Sequence, residues 1–129
     1  MSAGALVDAI AAGRVVVTSG PWLEVSLDGR GPGETVPRPD DPELEILVDA
    51  ANWVPVDRLR VIVDGQTVDS RALGADLPAR IVVPLTLPDA ASYVMVVVDG
   101  DRPLPPLAGT RAAPMRSTAF SNPIWIAPR

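Results

Sequence analysis

Along most of this chain the hydrophobic residues recur with a period of two; only at the N-terminus do they follow a helical period. Leu6, Ala9 and Ile10 fall on one face at helical spacing and Gly13 is a natural stop, which predicts a short helix over 4–12. From Arg14 onward the pattern predicts strands at 14–18, 21–28, 43–50, 58–65, 66–70, 79–87, 92–99 and 118–127. Turn signals separate them: Asp28-Gly29, the glycines and proline of 29–33, Asp64-Gly65 and Asp99-Gly100. In 43–49 the residues Leu44, Ile46 and Val48 share one face and Glu43, Glu45 and Asp49 the other. In 58–64 Leu59, Val61 and Val63 alternate with Arg58, Arg60 and Asp64; in 80–87 Ile81, Val83, Leu85 and Leu87 point in and leave Arg80 outside. A strand with one wet and one dry face is what a two-sheet sandwich requires. The expected fold is all-β: an immunoglobulin-like two-sheet β-sandwich with a short N-terminal helix, one domain over residues 1–129.

Asp89-Ala90-Ala91-Ser92-Tyr93-Val94-Met95 has the spacing of a tyrosine corner, in which a tyrosine at the start of a late strand bonds back across a Greek-key connection. In that register Met95 faces the core opposite Ile46 or Val48, and Trp53 adds core bulk nearby. Strands 43–50 and 80–87 are expected to pair in one sheet, with Glu43 and Glu45 meeting Arg80 on its outer face. Strands 58–65, 92–99 and 118–127 form the other. Strand 92–99 is apolar on both faces, Tyr93, Met95 and Val97 opposing Val94, Val96 and Val98. One set lines the core. The other, with Trp125 and Ile62, forms a dry outer face that needs a cover. The helix 4–12 and a second copy are the candidates.

Composition narrows the functions. At 129 residues the chain can bury roughly 65–70% of the surface its unfolded form exposes. Its 15 prolines bracket β-branched runs and so end strands. The net charge is −5, every one of the 11 basic residues is arginine, and no basic stripe marks a nucleic-acid surface. The lack of lysine beside abundant Ala, Gly, Pro, Arg and Val points to a GC-rich bacterial genome. No cysteine and no histidine are present, which removes thiolate chemistry, the commonest general base and the commonest metal ligand. Apolar runs are too short to cross a bilayer, and Asp8 interrupts the N-terminal one, so no membrane association and a cytoplasmic location are expected.

Candidate chemistry is sparse. Asp40-Asp41 and Asp99-Gly100-Asp101 offer oxygens to calcium, yet lack an EF-hand spacing and read as solvated turns. Acids on strands have Arg58, Arg60 and Arg80 as cross-strand partners, which is simpler than a glycosidase pair. Ser19, Ser92, Ser117 and Ser121 have no histidine or lysine to activate them. Gly29-Arg30-Gly31-Pro32-Gly33 precedes a strand and is no phosphate loop. Residues 102–107 begin like a polyproline ligand, but Ala108 takes the place of its next proline, and a stiffened loop is the reading. Trp22, Trp53, Trp125, Tyr93 and Phe120 are all the aromatics, most assigned to the core, which leaves little for a sugar platform. No catalytic, cofactor-binding or metal-binding residue is therefore assigned, and no cofactor.

Three segments carry a resemblance. Gly13-Arg14-Val15-Val16-Val17-Thr18-Ser19-Gly20-Pro21-Trp22-Leu23 follows the helix, Trp53-Val54-Pro55-Val56-Asp57-Arg58-Leu59-Arg60-Val61-Ile62-Val63-Asp64-Gly65 lies centrally, and Ala119-Phe120-Ser121-Asn122-Pro123-Ile124-Trp125-Ile126 closes the chain. In order and over nearly the whole length they resemble the C-terminal region of carbaryl-hydrolase-like metallohydrolases of the polymerase-and-histidinol-phosphatase (PHP) superfamily. The resemblance implies a non-catalytic accessory domain packed against a histidine-rich αβ barrel, with the helix 4–12 as the end of that preceding catalytic domain. The metal ligands of such a barrel lie upstream, so none transfers to this chain. The partner implied is the catalytic PHP domain, with a homo-oligomer when the domain is alone. The alternative is a stand-alone bacterial immunoglobulin-like binding or adhesion module.

Overall fold

A computed structural model describes residues 2–106 and 113–129. Helix α1 (Ala3–Ala11) precedes ten strands: β1 (Val16–Thr18), β2 (Trp22–Leu27), β3 (Thr35–Val36), β4 (Glu43–Asp49), β5 (Arg58–Val63), β6 (Gln66–Ala72), β7 (Ala79–Pro84), β8 (Ser92–Pro103), β9 (Arg116–Ser121) and β10 (Ile124–Ile126). They form two sheets. The smaller has the order β2-β4-β7 and is antiparallel throughout. In the larger, β5 joins β6 to one edge of β8; the other edge of β8 carries β9 and β10 end to end, and beyond them lie β1 and β3. The chain is all-β apart from the helix.

The predicted division between sheets holds. β4 pairs with β7, Ile46 opposite Ile81; β5 pairs with β8, Val61 opposite Val96; and β8 pairs with β9 and β10. Period-two alternation sends Leu23, Val25, Leu27, Leu44, Ile46, Val48 and Val83 inward from the smaller sheet. From the larger come Leu59, Val61, Val63, Val94, Val96, Val98, Ile124 and Ile126. Each such burial contributes about 1.5–3 kcal/mol, the main force opposing the entropy of ordering the chain. At two turns Asp28-Gly29 and Asp64-Gly65 behave as expected, with positive φ at both residues, the geometry of a tight hairpin loop.

Asp99-Gly100 does not turn. It lies inside β8, which runs on to Pro103. A Cβ on Gly100 would collide with the Pro55 carbonyl and Ser117 Oγ, so the glycine serves close backbone approach and not a bend. The tyrosine corner is also absent, and the reason is parity. β5 has only one apolar-inward register, and its Leu59, Val61 and Val63 stand opposite Val98, Val96 and Val94. That places the even-numbered residues of β8 in the core and turns Tyr93 and Met95 outward, so neither takes the predicted inward position.

Three further expectations are corrected. Glu45 stands opposite Val82 and Arg80 opposite Leu47, so the charges sit on a diagonal, and among the described residues neither Glu43 nor Glu45 pairs with Arg80. Trp53 is 61% exposed and Trp22 60%, the latter donating Nε1–H to Glu24 Oε1 at 3.0 Å; Val54 and Val56 fill the core where Trp53 was expected. The last strand is broken at Asn122-Pro123, because proline has no N–H to give the ladder. The break leaves the Val96 amide without a backbone acceptor, and buried Ser121 Oγ accepts it at 3.1 Å.

The two-residue β3, not predicted, lies parallel to β10. It brings Arg38 to the end of the sandwich, where the guanidinium donates to the carbonyls of Leu87 and Pro88 and approaches Asp89 at 3.7 Å. No helix among the described residues is long and apolar enough to cross a membrane.

Candidate functional site

The outer face of the larger sheet is the most unusual surface of the molecule. β8 presents Tyr93, Met95 and Val97 there. Ile62 of β5 is opposite Met95, Phe120 of β9 opposite Val97, Trp125 of β10 opposite Tyr93, and Val17 of β1 opposite Phe120. Seven apolar side chains thus run across five strands. Tyr93 and Trp125 meet edge to face, with ring centroids 5.7 Å apart and planes at 62°. Trp125 and Val17 are nearly half exposed, and the other five are half-buried by their neighbours. A contiguous apolar patch of this kind on a monomer is often functional.

Ion pairs close one side of the face. Arg58 reaches Asp101 at 2.9 Å and Asp99 at 3.9 Å, and Arg60 reaches Asp99 at 3.2 Å. These side chains are partly solvated, so the cluster contributes little to stability and serves as a polar rim. The same geometry settles the place of two calcium candidates: Asp99 and Asp101 are engaged by arginine, and Asp101 N donates to Asp57 Oδ2 at 2.7 Å. Asp40 and Asp41 are exposed in the loop before β4.

The sequence pattern identified Ile62 and Trp125 for this face but offered either set from strand 92–99. The structure assigns Val94 and Val96 to the core and Tyr93, Met95 and Val97 to the outside. Phe120 and Val17 were missed. In an unbroken strand Phe120 and Trp125, five residues apart, would point to opposite faces. The break at Asn122-Pro123 shifts the alternation by one residue and puts both aromatics on the same side. Pro123 in mid-strand was the available signal.

The helix does not cover the face. Ser2 caps it, accepting from Ala5 N at 3.1 Å, and none of its residues is buried. Leu6 (50% exposed), Val7 (63%) and Ile10 (58%) form an apolar stripe toward solvent, while Ala9 is half-buried. The joint that follows is fixed. Gly13 adopts φ +72°, Arg14 N donates to Ala9 O at 2.9 Å, Asn122 Nδ2 donates to Gly13 O at 3.2 Å, and Asn122 N donates to Val15 O at 3.0 Å. Gly33, at φ +83°, lies so close that a Cβ would collide with Ala12 O.

The serines have structural surroundings. Ser117 Oγ donates to Pro55 O, Ser121 Oγ accepts from Val96 N, and Ser19 Oγ accepts from Thr118 N at 2.9 Å. Buried Ser92 Oγ has no hydrogen-bond partner among the described residues. In the 102–107 stretch, Arg102 and Pro103 end β8; Leu107 and the following Ala108 lie outside the described residues. No family model, no curated protein and no solved structure matches the chain.

Proposed function

We propose that the chain is an immunoglobulin-like sandwich that acts as a non-catalytic accessory domain, docking a partner on the outer face of its larger sheet. The immunoglobulin-like reading is supported by connectivity: β4 to β5, β6 to β7 and β7 to β8 each cross between sheets, so that β2-β4-β7 faces β6-β5-β8-β9. It rests on that order and no longer on Tyr93. The docking role rests on one observation above all, the seven apolar residues bordered by the Arg58, Arg60, Asp99 and Asp101 cluster. Apolar area with a polar rim is how interfaces are built. A flat sugar platform is a poorer fit, because the rings of Tyr93 and Trp125 are not coplanar.

The resemblance to PHP-type hydrolases makes the partner a histidine-rich catalytic barrel in the cytoplasm, with α1 leading out of it. A chain with no histidine, cysteine or lysine would leave the chemistry to that barrel. The test is to co-express the chain with a barrel encoded upstream in the same frame or in an adjacent gene. Capture of the barrel, lost in Phe120→Glu, supports the reading; absence of any such gene, or capture indifferent to Phe120→Glu, overturns it. The alternative, a stand-alone binding module, has one favouring observation: a cleft of about 420 Å³ is lined by Asn52, Val54, Leu73, Leu77 and Arg102, and exposed Trp53, though not part of the lining, stands in the same loop. Tandem β-repeats around the gene would favour it.

A further inference from the structure

We infer that two copies of this chain form a two-fold dimer in which helix α1 of each lies across the outer sheet face of the other. The inference rests on the reading of that face as a docking surface and applies to the chain without the barrel, whose place on the face the helix of a second copy takes.

Two apolar surfaces lack a partner among the described residues, and they adjoin. Leu6, Val7 and Ile10 form one, joined by Ala3 at the same helical period, while Asp8 points to the opposite side of α1. The sheet face forms the other, and its edge is Val17, seven residues beyond Ile10. The shapes suit each other, a convex helix stripe and a broad sheet being one of the standard ways to close a core. Within a single chain they do not meet. Hydrogen bonds from Asn122 to Gly13 and Val15, with Gly33 packed against Ala12, fix the helix exit so that its stripe faces solvent.

Area selects a second copy. The helix stripe offers three exposed side chains and the sheet face seven, five of them half-buried, and neither alone approaches the ~800 Å² per partner of a stable interface. A reciprocal exchange buries both surfaces of both copies at once and so adds the two contributions on each partner. A two-fold axis is also the arrangement in which the same two surfaces satisfy each other twice and leave no open end.

The experiment is sedimentation of the full chain from low to high micromolar concentration. A mass twice that of one chain is expected, with Leu6→Asp/Ile10→Asp weakening self-association at least 100-fold. Those side chains are exposed and touch no core residue, so the variant folds. Because the chain has no cysteine, mixing Ile10→Cys chains with Met95→Cys chains supplies the second readout: a disulfide between unlike chains should form in preference to either like pair. A monomer at every concentration, a dimer indifferent to the helix variant, or no preference for the mixed disulfide overturns the exchange. Barrel capture sensitive to Phe120→Glu in a monomeric chain would leave the docking reading standing without it; loss of both results removes the two together.

Discussion

Two buried serines in the same sheet should respond in opposite directions to the same substitution. Ser121 is fully buried and its Oγ is the acceptor for Val96 N at 3.1 Å, a role created by the break between β9 and β10. Ser121→Ala removes one oxygen and leaves almost no cavity, so the cost is that of a buried amide without an acceptor. That cost is about 1–3 kcal/mol, reduced a little because the hydroxyl no longer has to be desolvated; about 1.5 kcal/mol is the expected loss. Ser92, 6% exposed, has an Oγ with no partner among the described residues, so Ser92→Ala relieves a penalty and should be neutral or stabilising by up to about 1 kcal/mol. Urea unfolding measures both. With a slope of about 1.5 kcal/mol per molar, Ser121→Ala should lower the midpoint by about 1 M at unchanged slope, and Ser92→Ala should hold or raise it. Hydrogen exchange adds a local reading: the Val96 amide should lose protection in Ser121→Ala while that of Val98 changes only with global stability. Equal losses in the two variants, or an unchanged Ser121→Ala midpoint, would refute the hydrogen-bond account of the strand break.

Other substitutions test the remaining structure. Leu59→Ala empties the middle of the core, where Leu59 is fully buried, and should cost about 3 kcal/mol by chemical denaturation. Trp22→Ala and Trp53→Ala should each change stability by less than about 0.5 kcal/mol, and a loss of several kcal/mol in either would return that tryptophan to the core. Gly33→Ala meets both a φ of +83° and the backbone at Ala12, so it should cost about 2 kcal/mol or more, with exchange of the 13–17 amides rising before that of β8. The purified chain should not turn over ester, carbamate or phosphoester substrates with added zinc or manganese; turnover abolished by a chelator would contradict the non-catalytic reading.

The sequence by itself determined most of the strand segments (β3 and the break at Asn122-Pro123 excepted), how β4, β7, β5, β8 and the closing segment divide between two sheets, and which faces of β4 and β5 turn inward. Each follows from local chemistry: alternation with one charged face admits a single register, and Asp-Gly pairs at Asp28 and Asp64 admit the positive φ of tight turns. Where alternation carries no charge, that information is missing. β8 is apolar on both sides, so only its pairing with β5 decided that Val94, Val96 and Val98 face the core and Tyr93, Met95 and Val97 face out. The same holds for Phe120 and Trp125, which share a face only because Pro123 interrupts the ladder between them. Trp22 and Trp53 were legible as hydrophobic but not as exposed, since smaller residues such as Val54 and Val56 already fill the space between the sheets. The helix was legible from its own period, whereas the direction of its stripe was set by Asn122 and Gly33, residues far along the chain that fix its exit. Local pattern therefore specified the elements, and long-range pairing decided which apolar surface was left for a partner.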